Sequence, residues 1–181
     1  MKIVRTLLTA SLIALSLTSF SQKGGRNIYN WALGVRGEYI GTSNTDNVYD
    51  PSSGTAFGPS LKYLWDPQRN IEIMYLTPGL KTGGDLHLMV NIFNPFSELP
   101  QNFRYYFGAG IHGGRWKTGD PQNDKTYYPL GLDGQLGLEI IGRKIPLALS
   151  IDWHPTYSWF TEQSNSALMR FGLTLKYTYK R

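Results

Sequence analysis

Ser150, Asp152 and His154 stand at alternate positions of one short stretch, and serine, carboxylate and histidine are the parts of a hydrolytic triad. A working triad needs the histidine between nucleophile and acid, touching both. At ~3.3 Å of rise per residue, an extended chain sets Ser150 and His154 about 13 Å apart with the carboxylate between them. That order is wrong for catalysis, and the spacing predicts a hydrogen-bond and ion-pair network; no catalytic residue is assigned. Gly108-Ala109-Gly110-Ile111-His112-Gly113 spells G-x-G-x-x-G. A dinucleotide site also needs a following helix whose N-terminus holds the pyrophosphate. Arg115-Trp116-Lys117-Thr118-Gly119-Asp120-Pro121 cannot be that helix, so no cofactor is expected. His87, His112 and His154 offer imidazoles suited to a transition metal if they converge. His112 and His154 flank an intervening strand, so no metal site is expected. Asn44, Asp46, Asn47 and Asp50 resemble loose calcium ligands without the spacing or glycine of an EF-hand, and read as a solvated turn.

The elements that carry these residues are strands. In Leu130–Pro155, Leu130, Leu132, Leu136, Leu138 and Ile140 alternate with Gly131, Asp133, Gln135, Gly137 and Glu139. After Gly142–Lys144, Leu147, Leu149, Ile151 and Trp153 alternate with Ala148, Ser150, Asp152 and His154. A period of two puts apolar and polar side chains on opposite faces, so this is a hairpin of two long strands. Six more strands read the same way: 29–40, 57–65, 71–79, 86–93, 103–116 and 167–179. Leu76 breaks the third strand's pattern by sharing a face with Glu72. Polar loops at 41–56, 117–126 and 157–165 alternate with shorter turns, the fourth connection alone being out of step. No segment has helical periodicity.

The 181 residues suit one domain, and none is cysteine. Lys2 and Arg5 precede an apolar run, Leu7–Leu17, and Ser19-Phe20-Ser21 offers small residues for cleavage. This is the pattern of a secretory signal over 1–21, leaving 22–181 as the mature domain. Loss of Lys2 and Arg5 lowers the formal charge from +5 to +3, 16 basic residues against 13 acidic. That balance is no footprint for nucleic acid, which requires clustered basic residues.

Alternation alone leaves open which face is inside. The polar face carries Arg36, Lys62, Arg104, Arg170 and Lys176 against Glu38, Glu72, Asp133, Glu139 and Asp152, with His154 beside them. The same face holds Gly34, Gly58, Gly108, Gly110, Gly114, Gly131, Gly137 and Gly172. A narrow barrel needs small residues inward, where side chains compete for space. Trp31, Tyr39, Phe57, Tyr63, Trp65, Tyr105, Trp153, Tyr177 and Tyr179 lie near strand ends on the apolar face, as in the aromatic girdles of membrane barrels. These features predict an all-β transmembrane barrel, eight antiparallel strands up and down, with a lumen network of those eleven charged and histidine residues. A secreted sandwich or lipocalin-like barrel is the alternative.

The GLDGQLGLE…IPLALSIDWHP hairpin, with Ser-Phe-Ser-Gln closing the signal, resembles the small outer-membrane barrels of the OmpA/OmpX type, particularly the PorT-like barrels of Bacteroidota. That family's C-terminal insertion signal maps onto Arg170, Gly172, Leu175 and Tyr177, although this chain ends Tyr179-Lys180-Arg181 rather than on an aromatic. The resemblance implies export to the bacterial outer membrane, with the lipid bilayer and the outer-membrane assembly machinery as partners. The family's motifs mark architecture rather than activity, and with a lumen filled by side chains the expected role is porin-like but non-enzymatic in the cell envelope, structural or presenting loops to another envelope protein. A narrow conduit for solutes or ions is one alternative. A lipid-modifying, deacylase-like enzyme with His154 near the rim is another.

Overall fold

A computed structural model describes residues 29–41, 54–78, 82–95, 102–117, 126–142, 144–159 and 165–179. The expected signal segment, the calcium-like Asn44–Asp50 cluster and Lys180-Arg181 lie outside the described residues. Among the described residues eleven strands form: β1 Trp31–Gly41, β2 Gly54–Leu64, β3 Arg69–Pro78, β4 Thr82–Pro95, β5 Phe103–Lys117, β6 Thr126–Tyr127, β7 Leu130–Ile141, β8 Leu147–Trp153, β9 Thr156–Trp159, β10 Asn165–Ala167 and β11 Met169–Tyr179. They make eight staves, because β6 runs on into β7, β8 into β9 and β10 into β11. Each neighbouring pair is antiparallel, and β1 returns to β11 from Trp31↔Tyr179 to Gly41↔Met169. The sheet is therefore closed, and closure leaves none of its long strands with an unpaired edge.

The alternation decides the faces. Along β11, Arg170, Gly172, Thr174, Lys176 and Thr178 turn inward, while Met169, Phe171, Leu173, Leu175, Tyr177 and Tyr179 turn outward. β7 repeats the pattern, with Leu136 outside and Gln135 and Glu139 inside. The polar face is the lumen. Leu76, which broke the sequence pattern, faces inward with Ile40, Ala56, Met74 and Met89 in a small apolar cluster.

One end of the barrel carries the chain entry at Tyr29, the bend at 65–68 and the strand ends at Pro95, Phe103, Ile141 and Leu147. The strand ends at Gly41, Gly54, Pro78, Thr82, Lys117, Thr126, Trp159 and Asn165 lie at the other, the loop end. At the turn end, Tyr29, Ala32, Leu64, Phe93, Tyr106, Ile141 and Ala148 pack into a buried apolar plug. Several strands run further than the alternation suggested, β4 among them at Thr82–Pro95. β2 starts at Gly54, within the expected first loop, and the seventh stave continues beyond Pro155 to Trp159. Pro155 has no N–H to donate to the ladder. Its carbonyl still accepts from Gly134 N–H at 2.9 Å, so the strand is interrupted without ending.

Candidate functional site

An eight-stave barrel encloses an interior only just wide enough for side chains to fill, and here that lumen is filled. All ten charged residues named from the sequence are buried, none more than 6% exposed, and His154 is buried with them. They sort into layers along the axis. Next to the apolar plug, Arg104 bonds Glu139 through Nη2 at 2.5 Å and Nε at 2.9 Å, and its guanidinium lies 3.5 Å from the centre of the Phe93 ring. Lys62 reaches Glu139 at 3.0 Å and Glu72 at 3.1 Å, and its ammonium sits 4.9 Å from the centre of the Tyr106 ring. Lys176 meets Glu72 at 2.8 Å. Tyr29, which the sequence did not single out, donates to Glu139 at 2.9 Å.

Arg36 is the hub of the next layer. It donates two bonds to Asp152, at 2.8 and 2.6 Å, one to Glu38 at 2.7 Å and one to Thr174 at 3.0 Å. Tyr106 adds a hydroxyl to Asp152 at 2.9 Å. Such a fork onto a carboxylate is strong and geometrically specific. Space for it comes from Gly172, where a Cβ would lie 2.1 Å from Arg36 Nη2. Glu38 is shared onward with Arg170, whose Nε donates at 3.0 Å, and with His154 Nδ1 at 2.7 Å.

The loop-end layer brings together what the sequence kept apart. His112 and His154 do flank the sixth stave, but that stave supplies Asp133, which joins them. Asp133 contacts His112 Nδ1 at 2.6 Å and His87 Nδ1 at 2.9 Å, and His154 Nε2 lies 3.9 Å away. The His87 ring is centred 5.3 Å from that of His112 and 5.1 Å from that of His154. Register explains the convergence: His87 pairs with His112, His112 with Gly131, and Gly131 with Ser158. A Cβ on Gly131 would lie 2.5 Å from the His112 ring, so the missing side chain lets the imidazole cross one stave. His112 Nε2 then meets Ser158 Oγ at 2.8 Å.

Ser158, His112 and Asp133 thus have the connectivity of nucleophile, base and acid. The triad first considered does not form: Ser150 lies opposite Glu139 and Thr174 in register, Asp152 is bound by Arg36, and His154 by Glu38. The G-x-G-x-x-G run lies wholly within β5, which continues as strand to Lys117. Of the insertion-signal residues, Arg170 and Gly172 face the lumen, while Leu175 and Tyr177 face outward.

Among solved structures, the chain is similar to the N-terminal β-barrel domain of OprF from Pseudomonas aeruginosa, with a TM-score of 0.62 at 10% identity over 85% of this chain and 100% of that one. The likeness is one of fold. The outer membrane protein OprG of the same organism is similar too, with a TM-score of 0.56 at 13% identity over 87% of this chain and 99% of that one. No family model matches the chain, and no curated protein does. The small eight-stave barrel expected from the alternation is the architecture these structures share with it.

Proposed function

We propose that this chain is a non-enzymatic, non-conducting barrel of the bacterial outer membrane, exported by a cleaved signal, that serves as a structural element or presents its loop end to an envelope partner. The observation that carries this reading is the inverted surface. Leu33, Val35, Leu88, Val90, Leu136 and Ile151 are all exposed on the outer wall, whereas soluble monomers rarely expose contiguous apolar patches beyond a few hundred Å². Trp31, Tyr177 and Tyr179 cluster outward at the turn end, as an interfacial girdle requires. The sequence resemblance to PorT-like barrels of Bacteroidota supports the same reading and adds insertion by the outer-membrane assembly machinery. The test is electrophoretic. The folded chain is expected to remain monodisperse only in detergent and to run at a different mobility unheated than boiled. A monodisperse, detergent-free preparation with native β signal refutes membrane embedding.

A second reading, a lipid-modifying hydrolase, has one observation in its favour: the Ser158–His112–Asp133 chain at the loop end. An activated Ser158 is expected to be labelled by a fluorophosphonate, and His112→Asn to abolish the labelling. An unlabelled Ser158 in folded protein removes the hydrolase reading.

A further inference from the structure

The loop-end layer differs from the rest of the lumen in how its charge is compensated. Glu38, Glu72, Glu139 and Asp152 each bond an arginine or a lysine, whereas among the described residues Asp133 pairs only with imidazoles. A buried carboxylate stays ionised only if something positive replaces its lost water. His154 Nε2, 3.9 Å from Asp133, and His87 Nε2 are both buried and have no hydrogen-bond partner among the described residues. One donor atom from each of His87, Asp133 and His154 lies within 4.8 Å of the other two. We propose that this pocket binds one divalent transition-metal ion of the zinc class, ligated by His87, Asp133 and His154.

Two imidazoles and a carboxylate are a ligand set for zinc and its neighbours rather than for calcium or magnesium, which take oxygen. An ion with bonds of ~2.0–2.1 Å holds tetrahedral ligand atoms roughly 3.4 Å apart. The present 3.9 Å between His154 Nε2 and Asp133 Oδ2 therefore closes with a small side-chain shift. Three protein ligands leave a fourth position open, as in catalytic rather than structural zinc sites. The outer contacts are those that orient metal ligands. Glu38 holds His154 Nδ1 at 2.7 Å, leaving Nε2 to face Asp133, and His112 steadies Asp133 from the far side at 2.6 Å. Asp85, inward-facing two residues along β4 from His87, has a buried Oδ1 without a partner and adds negative charge on the loop side of the pocket.

The probe is zinc itself, added to chelator-stripped protein refolded in detergent, with bound metal counted by mass spectrometry after dialysis. About one zinc per folded chain is expected, with protons released on binding. Cobalt in its place is expected to give the intense visible bands of tetrahedral coordination. His154→Gln and Asp133→Asn, checked as folded by unheated mobility, are expected to lose at least about tenfold in affinity, and His112→Asn about 10–100-fold. A folded wild-type chain that retains no zinc overturns the proposal, as does a folded His154→Gln that binds like wild type. Should the variants not fold, the wild-type cobalt spectrum decides, an octahedral aquo-like spectrum being the contrary result. None of these outcomes bears on membrane embedding, which the mobility test addresses separately.

Discussion

At the scale of single residues, the lumen is governed by which side chain is missing beside which large one. Gly172 and Gly131 are inward positions where a methyl group meets the Arg36 guanidinium or the His112 ring. Gly172→Ala is expected to destabilise the barrel by about 1–3 kcal/mol, the usual cost of overpacking, because Arg36 is pinned by Asp152, Glu38 and Thr174. Gly113→Ala, where the nearest atom is Leu130 Cδ1 at an ordinary 3.5 Å, is expected to stay within about 0.5 kcal/mol of wild type. Urea unfolding in lipid vesicles measures both. The inward glycines were legible as a class from the alternation, but their individual duties were not, since those depend on diagonal contacts between staves. Ser158 was missed for a related reason. It lies beyond Pro155, which reads as a strand end, although the period-two run Asp152, His154, Thr156, Ser158 continues through the proline and was the available signal.

At the scale of the strand, the same alternation that revealed eight staves also sets opposite rules for its two faces. Leu136 and Gln135 are neighbours on β7, the first 52% exposed on the outer wall and the second 4% exposed in the lumen. Leu136→Arg places a charge against lipid and is expected to cost about 2–4 kcal/mol near the bilayer midplane. Gln135 has neither amide atom hydrogen-bonded. Replacing a buried polar group that lacks partners by an apolar one of like shape is near neutral or stabilising, so Gln135→Met is expected within about 1 kcal/mol of wild type. If the outer wall met water, Leu136→Arg would be tolerated as well as Gln135→Met, and refolding yield into vesicles reads the difference directly. Strand ends were the less legible part. Where β2 begins and the seventh stave stops is decided by how far each neighbour extends, which one strand's own pattern does not carry.

At the scale of the whole molecule, the question is whether a closed wall encloses a path. Eight staves leave an interior only just wide enough for side chains to fill, and two kinds of filling lie in series here. Arg36, Lys62, Arg104, Arg170 and Lys176 are held by Glu38, Glu72, Glu139 and Asp152, and the Lys62–Glu139, Lys176–Glu72 and Arg36–Asp152 bonds reach between staves that are not neighbours. Breaking a buried pair by removing one partner costs about 3–5 kcal/mol, so these pairs do not part readily for a passing ion. Beneath them the plug of Tyr29, Leu64, Phe93, Tyr106 and Ile141 is apolar and buried, and a hydrophobic constriction stops ions by excluding water. The balance of charge was readable in the sequence; the plug was not, because Leu64, Phe93 and Ile141 look like any other apolar strand residue until the ends of the staves are aligned. The wild-type protein is therefore expected to show no discrete current steps in planar bilayers at about 1 M salt, where screening already weakens surface charge. Glu139→Gln, which leaves Lys62 and Arg104 short of a counter-charge, is expected to loosen the ionic layer yet remain silent, since the plug still closes the turn end. The double variant Glu139→Gln with Phe93→Ala weakens the plug and the ionic layer next to it, with the Arg36–Asp152 layer left in place, and of these variants is the one in which conduction is expected first. Reproducible steps from wild type, altered in Glu139→Gln, would mean that a continuous water path already runs past the plug.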